Sequence, residues 1–401
     1  MLDIIPIIKS LWRNKTGPLL IILQLSLTVA VISNALFIVH DRIEKIERPT
    51  GIAEEEIFII WARRTSPEGD IQEIIDKDIE VIRATPSVIN ATSISSIPLS
   101  GSGTSSALRK SLELGNTDFN SAIYAITQHG IEALGITLIE GRSFNDNDVQ
   151  FFTRENPPDH SVTIITRDLA EKIFPEESAI GKTIFMGSLP LTVVGVVERM
   201  MAPWPESELA YDAAMIPVNV KEDSTHYVVR ALKGDRDATM HALVEKLRAI
   251  DSTRLIGEER SMVQIKRNSY SGDYAMIKIL SFVIFLLTFV NALGIVGLTT
   301  FWVNQRRKQI GIRRALGSTK AGVIRYFMME NILLVIFAAA VGTIIAYVNS
   351  SYMVRTQSAS PLPIEYVLIT VVFLLLVTLL AAYSPVRRAA QISPVEAVSN
   401  V

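Results

Sequence analysis

Cysteine is absent from all 401 residues of the sequence. The chain therefore has no disulfide bond, no thiol nucleophile and no cysteine-ligated metal site. Its five histidines are scattered, and none falls in the H-E-x-x-H spacing or another spacing typical of metal ligands. No G-x-S-x-G nucleophile elbow occurs either. We find no catalytic constellation and predict a chain that is not itself an enzyme.

A complete phosphate-binding loop is also missing. Ile180-Gly181-Lys182-Thr183 matches the end of G-x-x-x-x-G-K-[ST], but Glu176 stands where the first glycine is required. We interpret Lys182 as a surface residue of a turn. The run 145–148 lacks the glycine and the distal glutamate of an EF-hand, so we interpret it as a solvated turn. We expect no cofactor in this chain.

Charged residues are absent from four long apolar stretches, 17–40, 279–305, 331–354 and 366–386. Each is as long as the roughly 20 residues that an α-helix needs to cross a bilayer core, and the mean hydropathy of the whole chain is +0.31. The first stretch is too long for the apolar region of a cleaved signal peptide. We predict four transmembrane helices at 17–40 (continuing outwards to about residue 48), 276–304, 330–354 and 364–386.

The sign of the flanking charges predicts the topology. Acidic residues lie mostly between Asp41 and Asp273, whereas cations crowd the segment 305–326 after the second span. The positive-inside rule then places this segment, both termini and the tail 387–401 in the cytoplasm, and the large loop outside. The alternation of apolar and basic residues in 1–16 predicts a helix along the cytoplasmic membrane surface. The formal net charge of −2 argues against a nucleic-acid partner.

Polar and small residues within the spans have two interpretations. They can hold membrane helices together or line a polar substrate path. A polar substrate path would often include a charged residue, and the four apolar stretches contain none, so we favour helix packing. The residues assigned to packing are Asn34, Asn291, Gly294 and Gly297.

The region from Asp41 to Asp273 contains nothing apolar enough to cross a membrane. Strand-like runs at 55–62, 88–97 and 226–232 and helical periodicity at 70–84 and 237–250 predict βα units at both of its ends. We predict a porter-like subdomain made of 49–135 and 222–270, with an inserted subdomain at 136–221. The predicted fold class is an α-helical membrane protein with four transmembrane helices plus a large α+β extracytoplasmic domain.

The sequence QRRKQIGIRRALGSTKAGVIRYFMMENILL resembles the segment between the second and third membrane helices of MacB-type ABC-transporter permeases. This group includes the FtsX and LolC/LolE proteins, and its pattern is R-x-x-E-I-G-I-x-R-A-x-G. In the family this segment is a coupling helix that docks into a groove on the ATPase subunit. Here glutamine replaces the usual glutamate. The resemblance implies that the ATPase-coupling residues are Gln309, Ile310, Gly311, Ile312, Arg313, Arg314, Ala315, Leu316 and Gly317.

Two stretches of the large loop, 133–148 and 162–200, resemble the periplasmic core domain of the same permeases through G-R-x-F-x-x-x-D, G-K-x-I and V-V-G-V-V motifs. The end of the chain resembles the family ending P-x-R-R-A-A-x-x-x-P-x-E-A-L, with Val398 where leucine is usual. The resemblance implies a permease of the bacterial inner membrane, of the FtsX/MacB/LolCE superfamily (type VII), without a fused ATPase domain.

This resemblance implies a subunit that passes the ATP-driven motion of a separate ATPase to its periplasmic domain and drives efflux of a peptide, toxin, antibiotic or similar substrate. The implied partners are two copies of a cytoplasmic ABC ATPase, a second permease copy or a sibling permease, the lipid bilayer, a periplasmic adaptor and an outer-membrane channel. Two alternatives stay open, an FtsX-like regulator of a cell-wall hydrolase and a LolC/LolE-like permease for lipoprotein release. The coupling motif disfavours a membrane-anchored sensor without an ATPase.

Overall fold

The structure is a computed structural model that describes residues 16–64, 71–113, 117–152, 161–220, 224–251, 254–257, 259–357 and 360–391. The chain divides into two compact units. We call Met1–Glu47 with Gly272–Val401 the membrane unit, and Arg48–Ser271 the outer unit. The predicted surface helix at 1–16 falls almost wholly outside the described residues, as does most of the predicted tail at 387–401.

The chain enters the membrane unit through helix α1, Thr16–Glu47. The elements of the outer unit follow in this order: β1 Ile57–Arg64, α2 Ile71–Arg83, β2 Val88–Ile94, β3 Thr104–Arg109, β4 Phe119–Ala125, α3 Gly130–Leu134, β5 Leu138–Gly141, β6 Gln150–Phe152, β7 Ser161–Thr166, α4 Arg167–Ile173, β8 Thr183–Met186, β9 Leu189–Val197, β10 Ala213–Ile216, β11 Val218–Val220, β12 Ser224–Ala231, α5 Arg236–Ile250, β13 Arg254–Ile256, β14 Arg260–Ser261 and α6 Met262–Ser269.

A five-stranded sheet has the order β13-β1-β12-β2, with β14 also paired to β1. Isoleucines at helical spacing in α2, Ile75, Ile79 and Ile82, are buried against one face of this sheet together with residues of α5. The Tyr227 hydroxyl, buried in the same layer, donates a hydrogen bond of 2.6 Å to the Asp78 carboxylate. A buried polar group is costly unless it is paired, so this bond also fixes the position of α2 on the sheet.

A second sheet has the order β5-β9-β7-β10-β4-β3-β8, and β8 pairs with β9 as well. Six of its strands therefore close into a ring around an apolar core that includes Ile165, Ile184 and Val193. The inserted subdomain was predicted to start at residue 136, but the ring includes β3 and β4, which lie before that residue. β4 lies parallel to β10, with Ala122 opposite Ala213, and a pairing so distant along the chain leaves no local mark in the sequence.

The membrane unit continues with α7, Ser271–Gln305, the short α8, Arg307–Ala315, then α9, Lys320–Gln357, and α10, Ile364–Ala390. Among the described residues, four helices are long and apolar enough to cross a membrane: α1, α7, α9 and α10. Helix α9 begins well before the predicted span at 330–354, so it also contains Lys320 and Arg325. At the end of the bundle away from α8, Arg42 of α1 donates a hydrogen bond of 2.6 Å to Asp273 of α7.

Candidate coupling site

The candidate site is helix α8 with the turns at its two ends. Arg306 is its N-cap residue and Leu316 its C-cap residue. Side chains four residues apart lie on the same side of a helix. Two such rows differ completely in their surroundings. We call them the inner row, which consists of Arg306, Ile310 and Arg314, and the outer row, which consists of Lys308, Ile312 and Leu316.

The inner row starts with a buried ion pair. Nη1 of Arg306 lies 3.0 and 3.1 Å from the two carboxylate oxygens of Glu330 in α9. The side chains are only 10% and 1% exposed, respectively. Removing two charges from water is expensive, and only close mutual contact compensates for it. The pair therefore fastens the junction between α7 and α8 to α9.

Ile310, the middle residue of the inner row, is 4% exposed. It belongs to an apolar cluster to which α7, α9 and α10 all contribute, namely Val303, Val323, Phe327, Val386, Ala389 and Ala390. Full burial of a side chain of this size contributes about 1.5–3 kcal/mol. Sequence reasoning assigned Ile310 to the contact with the ATPase, whereas the structure places it inside this chain.

Arg314 closes the inner row at the end of α10. Its Nη1 donates a hydrogen bond of 2.9 Å to the backbone oxygen of Ala390. The last carbonyls of a helix have no partner within the helix and carry its negative dipole end, so a guanidinium group is well placed there. The neighbouring Arg313 lies over the ring of Tyr326, 4.7 Å from its centroid. Both arginines were assigned from the sequence to the contact with the ATPase, and both contact their own chain.

The outer row has no such cover. Lys308 is exposed, Ile312 is 45% exposed and Leu316 is 83% exposed. Gln309 and Ala315 are exposed beside them. Large apolar side chains left open next to cations are typical of a surface that binds another protein.

The two glycines of the motif have different surroundings. Gly311 is buried. Gly317 has a φ of +97°, which only glycine adopts without strain, and an added Cβ there would meet nothing within 4 Å. Its N–H bonds to the Arg314 oxygen, and the Ser318 N–H bonds to the Arg313 oxygen. This pair of bonds is the Schellman motif, so Gly317 ends α8 and sets the direction of the chain into α9.

Three of the four residues predicted to pack the membrane helices make such contacts. Asn34 donates to the Ala346 oxygen of α9 at 3.4 Å, and Asn291 of α7 donates to the Thr28 hydroxyl of α1 at 2.6 Å. An added Cβ at Gly294 would lie 2.9 Å from the Gln24 side chain. Gly297 is different, since it is exposed and an added Cβ would meet nothing within 4 Å. Gly297 therefore does not pack against the described helices.

Sequence reasoning missed two residues of the bundle. Glu330 was assigned to the edge of a span, although it is the buried partner of Arg306. Gly342 of α9 was not singled out, although an added Cβ there would lie 2.6 Å from the Ser26 oxygen of α1. Small residues allow membrane helices to approach this closely, so a glycine flanked by apolar residues could have given the signal.

A family model described as MacB-like periplasmic core domain matches residues 19–250. A second model, described as FtsX-like permease C-terminal, matches residues 281–394. The chain belongs to the MacB-like, FtsX-like family of ABC-transporter permeases. The predicted family and the predicted fold class are confirmed: a membrane protein with four apolar helices and a large extracytoplasmic α+β domain.

Curated relatives carry the name macrolide export ATP-binding/permease protein MacB. The one from Chromobacterium violaceum is 24% identical over 297 residues, which cover 71% of this chain and 44% of the relative. The one from Neisseria meningitidis serogroup A is 22% identical over 409 residues, which cover 98% of this chain and 60% of the relative. The chain thus spans about half the length of the curated relatives it matches.

Two solved structures are also similar. The periplasmic region of MacB from Actinobacillus actinomycetemcomitans is 17% identical with a TM-score of 0.35, and the match covers 56% of this chain and 97% of that one. The extracellular domain of the noncanonic ABC-type transporter YknZ from Gram-positive bacteria is 16% identical with a TM-score of 0.33, and the match covers 50% and 100%. Scores this low support no conclusion about function.

Proposed function

We propose that this chain is the permease subunit of a MacB-like ABC transporter and that α8 receives the motion of a separate ATPase subunit. The two-sided environment of α8 carries this proposal. If α8 served only to fix the orientation in the membrane, exposed cations would be sufficient. Instead, α8 has a leucine that is 83% exposed on one side and a buried ion pair on the other.

The inner row gives the motion a route into the membrane helices. A partner that pushes on Ile312 and Leu316 moves α8 as one body, because its backbone bonds run without a break from Arg306 to the Schellman turn. The buried pair passes that movement to α9, and Ile310 and Arg314 pass it to α10. Close-packed interiors transmit such displacements because they compress little.

The rest of the assembly belongs to the same proposal. ATP and Mg²⁺ bind to two copies of the ATPase, and this permease pairs with a second copy or a sibling permease. The stroke of the outer unit drives export of a periplasmic substrate through an adaptor and an outer-membrane channel. Support for the direction of transport comes from the name of the curated relatives, which describes export.

The test is the retention of the ATPase subunit on tagged permease in detergent. Ile312→Asp and Leu316→Asp place a carboxylate on the outer row, and we expect each to lower retention about tenfold or more, the equivalent of about 1.4 kcal/mol. Leu232→Asp is the matched control, since Leu232 is an exposed leucine of the outer unit. If both outer-row variants retain the ATPase and support transport like the parent, α8 is not the coupling element.

The proposal also requires α8 and both termini on the cytoplasmic side. The cysteine-free sequence makes single-cysteine labelling direct. We expect Ser102→Cys and Ser188→Cys to react with a membrane-impermeant maleimide in intact cells, and Ser318→Cys to react only after permeabilisation. Labelling of Ser318→Cys from outside would contradict this topology.

A further inference from the structure

The five-stranded sheet of the outer unit leaves one face uncovered by α2 and α5. Successive side chains of a strand alternate between the faces, and Phe58, Ile60 and Tyr227 belong to the core beneath those helices. Trp61 and His226 therefore lie on the opposite face. The strand register aligns Trp61 with His226, and His226 with Ile94, in one row across β1, β12 and β2.

A cleft of about 550 Å³ lies between the adjoining ends of β2 and β12, at Ser95 and Ser224, and the ring of the seven-stranded sheet. Residues with hydroxyl side chains line it from β3 and β12, among them Ser106 and Ser224, and its apolar surface includes Ile123, Met186 and Ile216. Pockets of this size that combine an apolar surface with a few polar groups are typical of small-molecule sites.

Two hydroxyl groups of the lining keep a proton for a ligand. Ser95 accepts a hydrogen bond of 2.9 Å from the Ala125 N–H, and Ser224 accepts one of 2.6 Å from the Trp61 indole N–H. A hydroxyl group both accepts and donates, so each of the two can still donate its own hydrogen. The surrounding strands thus orient both oxygens.

His226 stands where the row of side chains meets the cleft. Its imidazole has no hydrogen-bond partner among the described residues, and burial lowers the pKa of the ring. No aspartate, glutamate, lysine or arginine occurs among the described residues that line the cleft. The described lining thus offers a charged ligand no counter-ion in exchange for its lost hydration, whereas an uncharged ligand loses less hydration there.

We propose that this cleft binds an uncharged amphipathic small molecule. Its apolar body packs on Ile123, Met186 and Ile216, and its carbonyl or ether oxygens accept hydrogen bonds from Ser95 and Ser224. This goes beyond the coupling function of α8 and does not depend on it, because it concerns binding to the outer unit alone.

The test uses the full chain in lipid nanodiscs with Nile red as the probe, since this dye is uncharged and carries a carbonyl oxygen. Ser106→Cys places one thiol in the cleft, and Ser102→Cys places one on an exposed loop outside the lining. The readout is the rate of reaction with a hydrophilic maleimide. At a dye concentration about ten times its Kd, we expect about tenfold slower reaction at position 106 and no change at position 102.

Two further substitutions in the Ser106→Cys chain identify the site. Met186→Trp fills the apolar side of the cleft and should abolish protection, whereas Ser102→Trp should leave it intact. Ser95→Ala removes one donor but also leaves the Ala125 N–H without its partner, so it lowers stability as well; in the folded chain it should raise the Kd of the dye about fivefold, the value of about one hydrogen bond. Equal rates with and without dye, equal protection at positions 102 and 106, or protection that persists in folded Met186→Trp would overturn the proposal.

Discussion

The inner and outer rows of α8 are similar in composition but opposite in environment. Each row combines cations with large apolar side chains at a spacing of four residues. The inner row is held by Glu330, by an apolar cluster and by the end of α10. The outer row is not covered by the described residues of this chain. One motif therefore contains two kinds of residue, those that fasten the helix to the bundle and those that it presents to a partner.

Among the substitutions that test this comparison, loss of Glu330 should have the largest effect on stability. Glu330→Ala leaves the guanidinium group of Arg306 buried without a counter-ion, and such a loss costs about 3–5 kcal/mol. We expect a large drop in the unfolding temperature of the membrane unit in detergent, followed by tryptophan fluorescence, and loss of ATPase retention.

The control for Glu330→Ala removes both charges together. Buried ion pairs can often be replaced by apolar residues of similar volume without loss of stability. The double variant Arg306→Met, Glu330→Met should therefore regain most of the lost unfolding temperature. If the double variant is as unstable as Glu330→Ala, the cost does not come from the unpaired charge.

The two isoleucines of the motif give the next largest effect and a matched comparison. Ile310 is 4% exposed and Ile312 is 45% exposed. Ile310→Ala should lower the free energy of unfolding by about 2–5 kcal/mol, as other truncations of buried aliphatic side chains do. Ile312→Ala should change it by less than about 0.5 kcal/mol but should lower ATPase retention. Equal stability of the two variants would show that the rows are not distinct.

Substitutions of Arg314 should have a smaller effect on stability, and they distinguish the role of the planar guanidinium group from that of the positive charge. Arg314→Ala removes a charged hydrogen bond to the Ala390 oxygen, at a cost of about 1.5–3 kcal/mol. Arg314→Lys keeps the charge without the planar guanidinium group and should restore only part of this stability. Thermal unfolding of the three chains, measured side by side, checks the order. Full restoration by lysine would show that only the charge matters.

The membrane spans and the position of α8 were predictable because length, hydropathy and motif are local properties of the sequence. The partners of the inner row were not. Arg306 meets Glu330 24 positions away, and Arg314 meets the Ala390 oxygen 76 positions away. In the sequence, a spacing of four residues is enough to distinguish the two rows. It does not tell which row faces the bundle, and that is why Ile310 and Ile312 received the same predicted role.

The outer unit shows the same limit at the scale of strands. The strands around Ile59, Ile94 and Val228 were predicted close to their places because β-branched runs have their own signature. The predicted subdomain boundary at residue 136 does not follow the strand pairing, since β3 and β4 join the ring through pairing with β8 and β10. Which strands pair is decided by contacts across the fold, and alternation along one strand carries no record of them.

The smallest predicted effect extends the comparison from a buried ion pair to an exposed one. Arg142 and Asp148 of the outer unit are joined by two hydrogen bonds, one of them 3.0 Å long, but the arginine side chain is 47% exposed. The bond from Arg142 holds the pKa of Asp148 below its usual range, although partial burial opposes it.

A lowered pKa means that the ion pair stabilises the fold fully above the unfolded pKa of about 3.9 and loses its contribution as the pH falls through the folded value. Asp148→Asn should therefore cost less than about 1 kcal/mol at neutral pH, as solvent-exposed pairs do, and progressively less as the pH falls through the folded pKa. Urea unfolding of the full chain, followed by the fluorescence of Trp61 and Trp204 in the outer unit, measures the difference. Asn147→Ala, at an exposed position on the same turn, removes no titrating group and should show no such pH dependence. A cost for Asp148→Asn that stays constant or grows in acid would show that Arg142 does not stabilise the charged carboxylate.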